Sequence, residues 1–125
     1  MNNPADEVHA FLADATNWPR WAIVNILAVE PGTESQWWKF TTPDGSVDFR
    51  LRADPATGVV DHDFRDESME VATVPARVVA NGRGAEFLMT VTQPPGADDS
   101  FFEELMRSVE TELATLKEVL EAVAE

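Results

Sequence analysis

Apolar residues at steps of three and four over the last quarter of the chain predict a long amphipathic helix. Ser100 followed by Glu103 forms a capping box at its start. About 24 residues at ~1.5 Å each span roughly 36 Å, enough to cross a small sheet. The apolar face of this helix consists of Phe102, Leu105, Met106, Val109, Leu113, Leu116, Leu120 and Val123.

The middle of the chain alternates between apolar and polar residues, which predicts half-buried β-strands. Val47, Phe49 and Leu51, for example, alternate with charged residues. Turn sequences separate the segments, and Pro75 indicates a bulge or an edge position. Hairpin-like connections favour an antiparallel sheet. The predicted strands cover residues 23–30, 36–42, 47–52, 60–65, 69–79 and 85–92.

Two short helices are expected before the sheet. Asn3 can cap a helix that starts at Pro4 and runs to about Asp14. Asn17 can cap a second helical turn that ends at Trp21. The order of elements predicts a single α+β domain that covers residues 1–125.

The composition of the chain disfavours some classes of binding partner. The formal net charge is −14, from 23 acidic and nine basic residues, and such a surface repels nucleic acid and anionic membranes. Half of this charge lies in the segment from Asp98 to the end of the sequence, where a solvated helix face or a site for a basic protein partner are the alternatives. The lack of cysteine excludes thiolate chemistry. With no signal-peptide pattern or apolar run of membrane-spanning length, the sequence favours the cytoplasm.

Four stretches together resemble the START-like, or SRPBCC, superfamily, and in particular its small polyketide cyclase/dehydratase-like bacterial members. They are residues 4–21, 58–64, 74–94 and 112–121. The resemblance implies a helix-grip fold: a curved antiparallel sheet of about six strands around a long C-terminal helix, with two short N-terminal helices and an apolar cavity.

Relatives begin with a strand that lies beside the last one, whereas this sequence starts at the helix. Either the first strand has been lost, or the chain does not start where its relatives start. We therefore expect the strand Ala85–Thr92 to be a sheet edge. A homodimer would cover this edge, and the competing expectation is that residues 1–3 or the segment at Ile23 cover it from within.

The expected function is binding or carriage of a small apolar or aromatic molecule in the cavity. His62 shares a strand face with Phe64, and it either recognises a ligand or is a hydrogen-bonded core residue. One of the adjacent Trp37 and Trp38 must point inward. The residues expected to bind the ligand are Trp21, Trp38, Phe49, His62, Phe64, Met69, Arg77, Met89, Met106 and Val109.

Two alternative functions stay open. One is an enzyme of the polyketide cyclase type, with His62 as acid or base and Arg77 polarising a carbonyl group. The other is an acidic protein-interaction module, as in co-chaperone relatives. No cofactor or metal is expected, because Asp61 and Asp63 point to the opposite strand face from His62.

Overall fold

The computed structural model describes residues 1–124, and it leaves out the side chains of Val123 and Ala124, so the predicted role of Val123 lies outside the described residues. Two helices and a short 3-10 helix accompany one sheet, which confirms the predicted helix-grip fold. The helices are α1 (Ala5–Leu12), the 3-10 helix (Ala15–Arg20) and α2 (Asp99–Ala124). The strands are β1 (Ala28–Pro31), β2 (Trp38–Thr42), β3 (Gly45–Asp54), β4 (Val59–Arg65), β5 (Val71–Val74), β6 (Ala76–Asn81) and β7 (Gly84–Met89).

The sheet has seven strands instead of about six, because Pro75 divides the segment predicted as a strand over residues 69–79. The ladder order is β1-β2-β3-β4-β6-β7, and all pairs are antiparallel. β5 pairs with the second half of β4, whereas β6 meets β4 only near Val59. Pro75 has no N–H to donate to a ladder, but its carbonyl accepts a 2.9 Å hydrogen bond from Thr90.

The strand predicted over residues 23–30 is shorter than expected. β1 begins only at Ala28, and the segment before it is a loop held by α2. Glu112 on α2 accepts hydrogen bonds from the backbone N–H groups of Val24 and Asn25, at 3.2 and 3.0 Å. These N–H groups are therefore not available for a strand ladder.

The concave face of the sheet is filled mainly by aromatic rings. Trp18 of the 3-10 helix packs 4.8 Å from both Phe49 and His62, measured between ring centroids. Its indole N–H donates to the Leu12 carbonyl at 2.9 Å, which fixes the ring. Phe40 stacks on Phe49 at 4.0 Å. Such contacts hold the sheet, α1 and the 3-10 helix together.

The two ends of the molecule differ in how α2 meets the sheet. We call the end where β2, β4 and β7 finish and α2 starts the open end, and the opposite end the closed end. At the closed end, Asn3 donates to the Leu120 carbonyl at 2.9 Å, and Leu116 and Leu120 belong to the buried core. At the open end the loop after β7 leads into the first turns of α2.

β7 is a sheet edge, as expected, but Met1 of the same chain covers it at Ala85. The Met1 amino group donates to the Ala85 carbonyl, and the Ala85 N–H donates to the Met1 carbonyl, both at 2.9 Å. Met1 thus pairs with β7 at Ala85. Gly84 permits the approach, since a Cβ atom there would stand 2.1 Å from the Met1 carbonyl oxygen.

Candidate functional site

The two halves of α2 differ in burial although both carry an apolar stripe. Leu116 is 1% exposed and Leu120 is 4% exposed. In the first half, by contrast, the stripe residues stay half-buried and lie outside the core cluster. The half-buried stripe residues are Phe102, Leu105, Met106 and Val109.

The sheet presents apolar side chains toward this same end. Phe64 on β4 and Phe87 and Met89 on β7 point to the concave face and are half-buried. Val91, which follows β7, is half-buried as well. Exposed apolar residues of the adjoining segments extend this surface: Ile23, Val24, Leu27 and Phe101. The open end therefore carries an apolar surface from both the helix and the sheet.

Four of the predicted ligand-binding residues lie at the open end: Phe64, Met89, Met106 and Val109. Three others are packed deeper, in the aromatic core. Trp21 is 2% exposed and faces the edge of Phe87, with 6.2 Å between ring centroids, and its indole nitrogen has no hydrogen-bond partner among the described residues. Phe49 and His62 contact Trp18 and each other's rings.

The other three predicted residues lie elsewhere. Trp38 points inward, as its strand position allows, but it lines a surface cleft of about 590 Å³ beside Ala13–Ala15. Arg77 lies between the buried Ala76 and Val78, so alternation places it on the outer face. Met69 is 59% exposed and lies in the turn between β4 and β5, where it has a φ angle of 65°. None of these three faces the open-end surface from the concave side.

His62 lies in an aromatic box that favours its neutral form. Its side chain is 1% exposed, and Trp18, Phe49 and Phe64 surround its ring. Burial lowers the pKa of His62 to about 4, because it outweighs the opposing effects of the Val60 carbonyl, Asp61 and Asp63. Nδ1 lies 3.3 Å from the Val60 carbonyl oxygen. At neutral pH the imidazole is therefore an uncharged part of the core.

Glu112 was not predicted as a structural residue, and it connects α2 to the loop before β1. Besides the two N–H groups of this loop, it accepts a 3.0 Å hydrogen bond from the Asn25 side chain. Ser108 receives a longer bond of 3.3 Å from the same amide. Burial raises the pKa of Glu112, and the bonds from Asn25 and Val24 oppose that rise. We call Glu112 and its hydrogen bonds to Val24 and Asn25 the clamp. It lies at the boundary between the buried second half of α2 and its half-buried first half.

The outer face of the sheet carries an ion-pair cluster around Asp63. Asp63 is fully buried and accepts hydrogen bonds from Arg50, Arg52 and Thr73, at 2.7 to 3.0 Å. Burial acts to raise the pKa of Asp63, but these donors lower it to about 2. The Asp61 carboxylate accepts the Ala76 N–H at 2.9 Å. Both carboxylates therefore have structural partners.

Another surface cleft, of about 460 Å³, lies between α1 and the β3–β4 turn. His9 borders it and is buried, with Nε2 2.9 Å from the Val59 carbonyl oxygen. Within residues 1–124 there is no group of three or more His, Asp or Glu side chains arranged to hold a metal ion. No helix in that part of the chain is long and apolar enough to cross a membrane.

Comparison with known proteins supports the fold. No family model and no curated protein matches the sequence. Among solved structures, the crystal structure of Ara h 8.0201 matches with a TM-score of 0.64 at 17% sequence identity, covering 97% of this chain and 93% of that chain. The likeness shows the helix-grip fold that the START-like resemblance implied. Membership of the START-like superfamily, and of its polyketide cyclase/dehydratase-like subgroup, stays a prediction.

Proposed function

We propose that the protein binds a small apolar molecule at the open end, between the first half of α2 and the concave face of the sheet. The observation that carries this proposal is the contrast within α2, whose first half keeps its apolar stripe half-buried and outside the core. Apolar surface left in water is unfavourable by about 25 cal/mol per Å², and a ligand that covers it gains that free energy.

The charges around the open end favour a neutral ligand. Three carboxylates follow β4, those of Asp66, Glu67 and Glu70. Two more lie at the start of α2, where Asp98 precedes the helix and Asp99 is its first residue. Arg65, at the end of β4, is engaged by Asp48 and Glu34. An anionic ligand such as a fatty acid would meet repulsion here, whereas an uncharged apolar or aromatic molecule would not.

The positions of the titratable residues favour binding over catalysis. His62 faces the aromatic core, and Arg77 lies on the outer face, so the pair suggested for cyclase-type chemistry does not meet in one pocket. Binding needs only apolar walls, and the open end carries half-buried apolar side chains from the helix and the sheet. Phe64, Met89, Met106 and Val109 are the residues that we assign to the ligand.

A neutral fluorescent dye, N-phenyl-1-naphthylamine, tests this proposal. The folded protein should bind it in about a 1:1 ratio, and Met106→Gln should weaken binding about tenfold by making the wall polar. Ala114→Gln, on the exposed face of the same helix, is the matched control and should leave the affinity unchanged. Dye binding that appears only on partial unfolding, or equal losses in the two variants, would contradict the proposal.

A further inference from the structure

The free part of the β7 edge is short and well defined. The backbone groups of Ala85 that point away from β6 bond to Met1. Because strand geometry has a period of two, the groups of Phe87, Met89 and Val91 point the same way. The Thr90 N–H bonds in the other direction, to Pro75, which agrees with this alternation. Among the described residues, no hydrogen-bond partner reaches the outward groups of Phe87 and Met89.

Both limits of this free edge are fixed by contacts. Met1 occupies the position beside Ala85 at one limit. At the other, the Gln93 side chain donates to the Ala97 carbonyl at 3.0 Å and to Asp99 at 3.1 Å, where the chain turns toward α2. The unpaired stretch is thus Phe87–Val91, and Met89 is its midpoint.

We propose that a second copy of this chain covers this edge, in a two-fold antiparallel ladder centred on Met89. In that register Phe87 faces Val91 of the second copy, and Met89 faces its own counterpart. About six inter-strand hydrogen bonds would form, using the outward groups of these three residues in each copy. A two-fold arrangement closes on itself and leaves no further edge for growth.

The lack of charge along the free part of the β7 edge favours a second copy of the chain as the partner that covers it. Residues 87–97 contain no charged side chain, in a chain with a net charge of −14. Two copies can therefore meet along this edge without facing carboxylates, whereas a basic partner would find its counter-charges on α2 instead. On the outer face, Leu88 is 55% exposed and would pack against Thr90 of the second copy. The other sheet edge, β1, is less suited, because it contains Glu30 and Pro31.

Charge pairs at Leu88 and Thr90 test both the partner and the register. Both side chains are exposed, so substitution leaves the core intact. The double variant Leu88→Glu with Thr90→Glu places carboxylates opposite each other across the ladder and should give monomers. Leu88→Glu with Thr90→Lys places opposite charges there and should restore the dimer.

Sedimentation velocity at micromolar concentrations is the measurement, with circular dichroism and urea unfolding to show that both variants are folded. We expect a wild-type dimer, a monomeric Glu/Glu variant and a dimeric Glu/Lys variant. Amide exchange at Phe87–Val91 should slow with rising wild-type concentration. A wild-type monomer, a species that keeps growing with concentration, or identical behaviour of the two variants would overturn the proposal.

Discussion

The two ends of the molecule bury similar apolar residues to different extents. At the closed end, Leu116 and Leu120 of α2 are buried in the core, and Asn3 bonds to the last turns of the helix. At the open end, Met106 and Val109 belong to the same stripe but stay half-buried. A continuous amphipathic pattern therefore shows which face of a helix turns inward, and it does not show how far the packing extends along that face.

The largest expected effect tests this contrast within α2. Leu116→Ala removes a fully buried side chain and should lower the free energy of unfolding by about 3 kcal/mol. Leu105→Ala, at the open end, should cost under about 1 kcal/mol, because much of the side chain is already in water. Urea denaturation of both variants gives the comparison. Equal losses would mean that the first half of α2 is packed as tightly as the second.

A second prediction concerns the acid sensitivity of the packed region. The pKa of His62 falls from 6.5 to about 4 on folding, so the unfolded chain binds more protons in that range, and stability falls as the pH falls. Between about pH 7 and pH 5 the loss should be about 2 kcal/mol. His62→Phe, which keeps an aromatic ring in the box, should remove most of this loss in urea titrations. The raised pKa of Glu112 acts in the opposite direction, and it is present in both proteins.

If His62→Phe kept the full acid sensitivity, the source would be another group. Asp63 is not that source, because its pKa of about 2 places its contribution below about pH 4. The result would then mean that the low pKa of His62 does not cause the loss of stability at acid pH, and it would weaken the assignment of His62 to the packed region.

The smallest effect concerns the clamp between the two regions. Glu112→Gln keeps one carbonyl oxygen for the loop N–H groups, but it turns an amide toward the Asn25 amide donor. The expected loss of stability is about 1 kcal/mol. Glu110→Gln, an exposed position on the same helix, should change stability by less than about 0.5 kcal/mol. Indistinguishable unfolding curves for the two variants would show that the clamp contributes nothing.

Much of the fold was predictable from local patterns. The apolar stripe located α2, and period-two alternation at Val47–Leu51 located β3 and its inward face. The predicted capping box was wrong, because the helix begins at Asp99 and the Asp98 carboxylate accepts the Phe101 N–H at 2.8 Å. Pro75 correctly indicated an interruption of the sheet. The strand predicted over residues 23–30 was mostly wrong, because a buried Glu112 on a distant helix holds that segment in a loop, and no local pattern records a long-range partner.

The candidate site was harder to predict than the fold. Alternation showed that Phe49 and His62 face inward, but not that Trp18 would pack onto both rings. A tryptophan in a short helical turn carries no local signal of where its ring lies. Met69 and Arg77 were chosen for their chemistry, and turn geometry and strand parity direct them elsewhere. Phe64, Met89, Met106 and Val109 remain a predicted site at the open end.

Hydrogen exchange along α2, with and without N-phenyl-1-naphthylamine, tests the central claim most directly. The account predicts faster amide exchange at residues 102–109 than at residues 112–120, since the first half lacks core packing. The dye should slow exchange in residues 102–109 and leave residues 112–120 unchanged. Uniform exchange along the helix, or protection by the dye at residues 112–120 instead, would contradict a binding site at the open end.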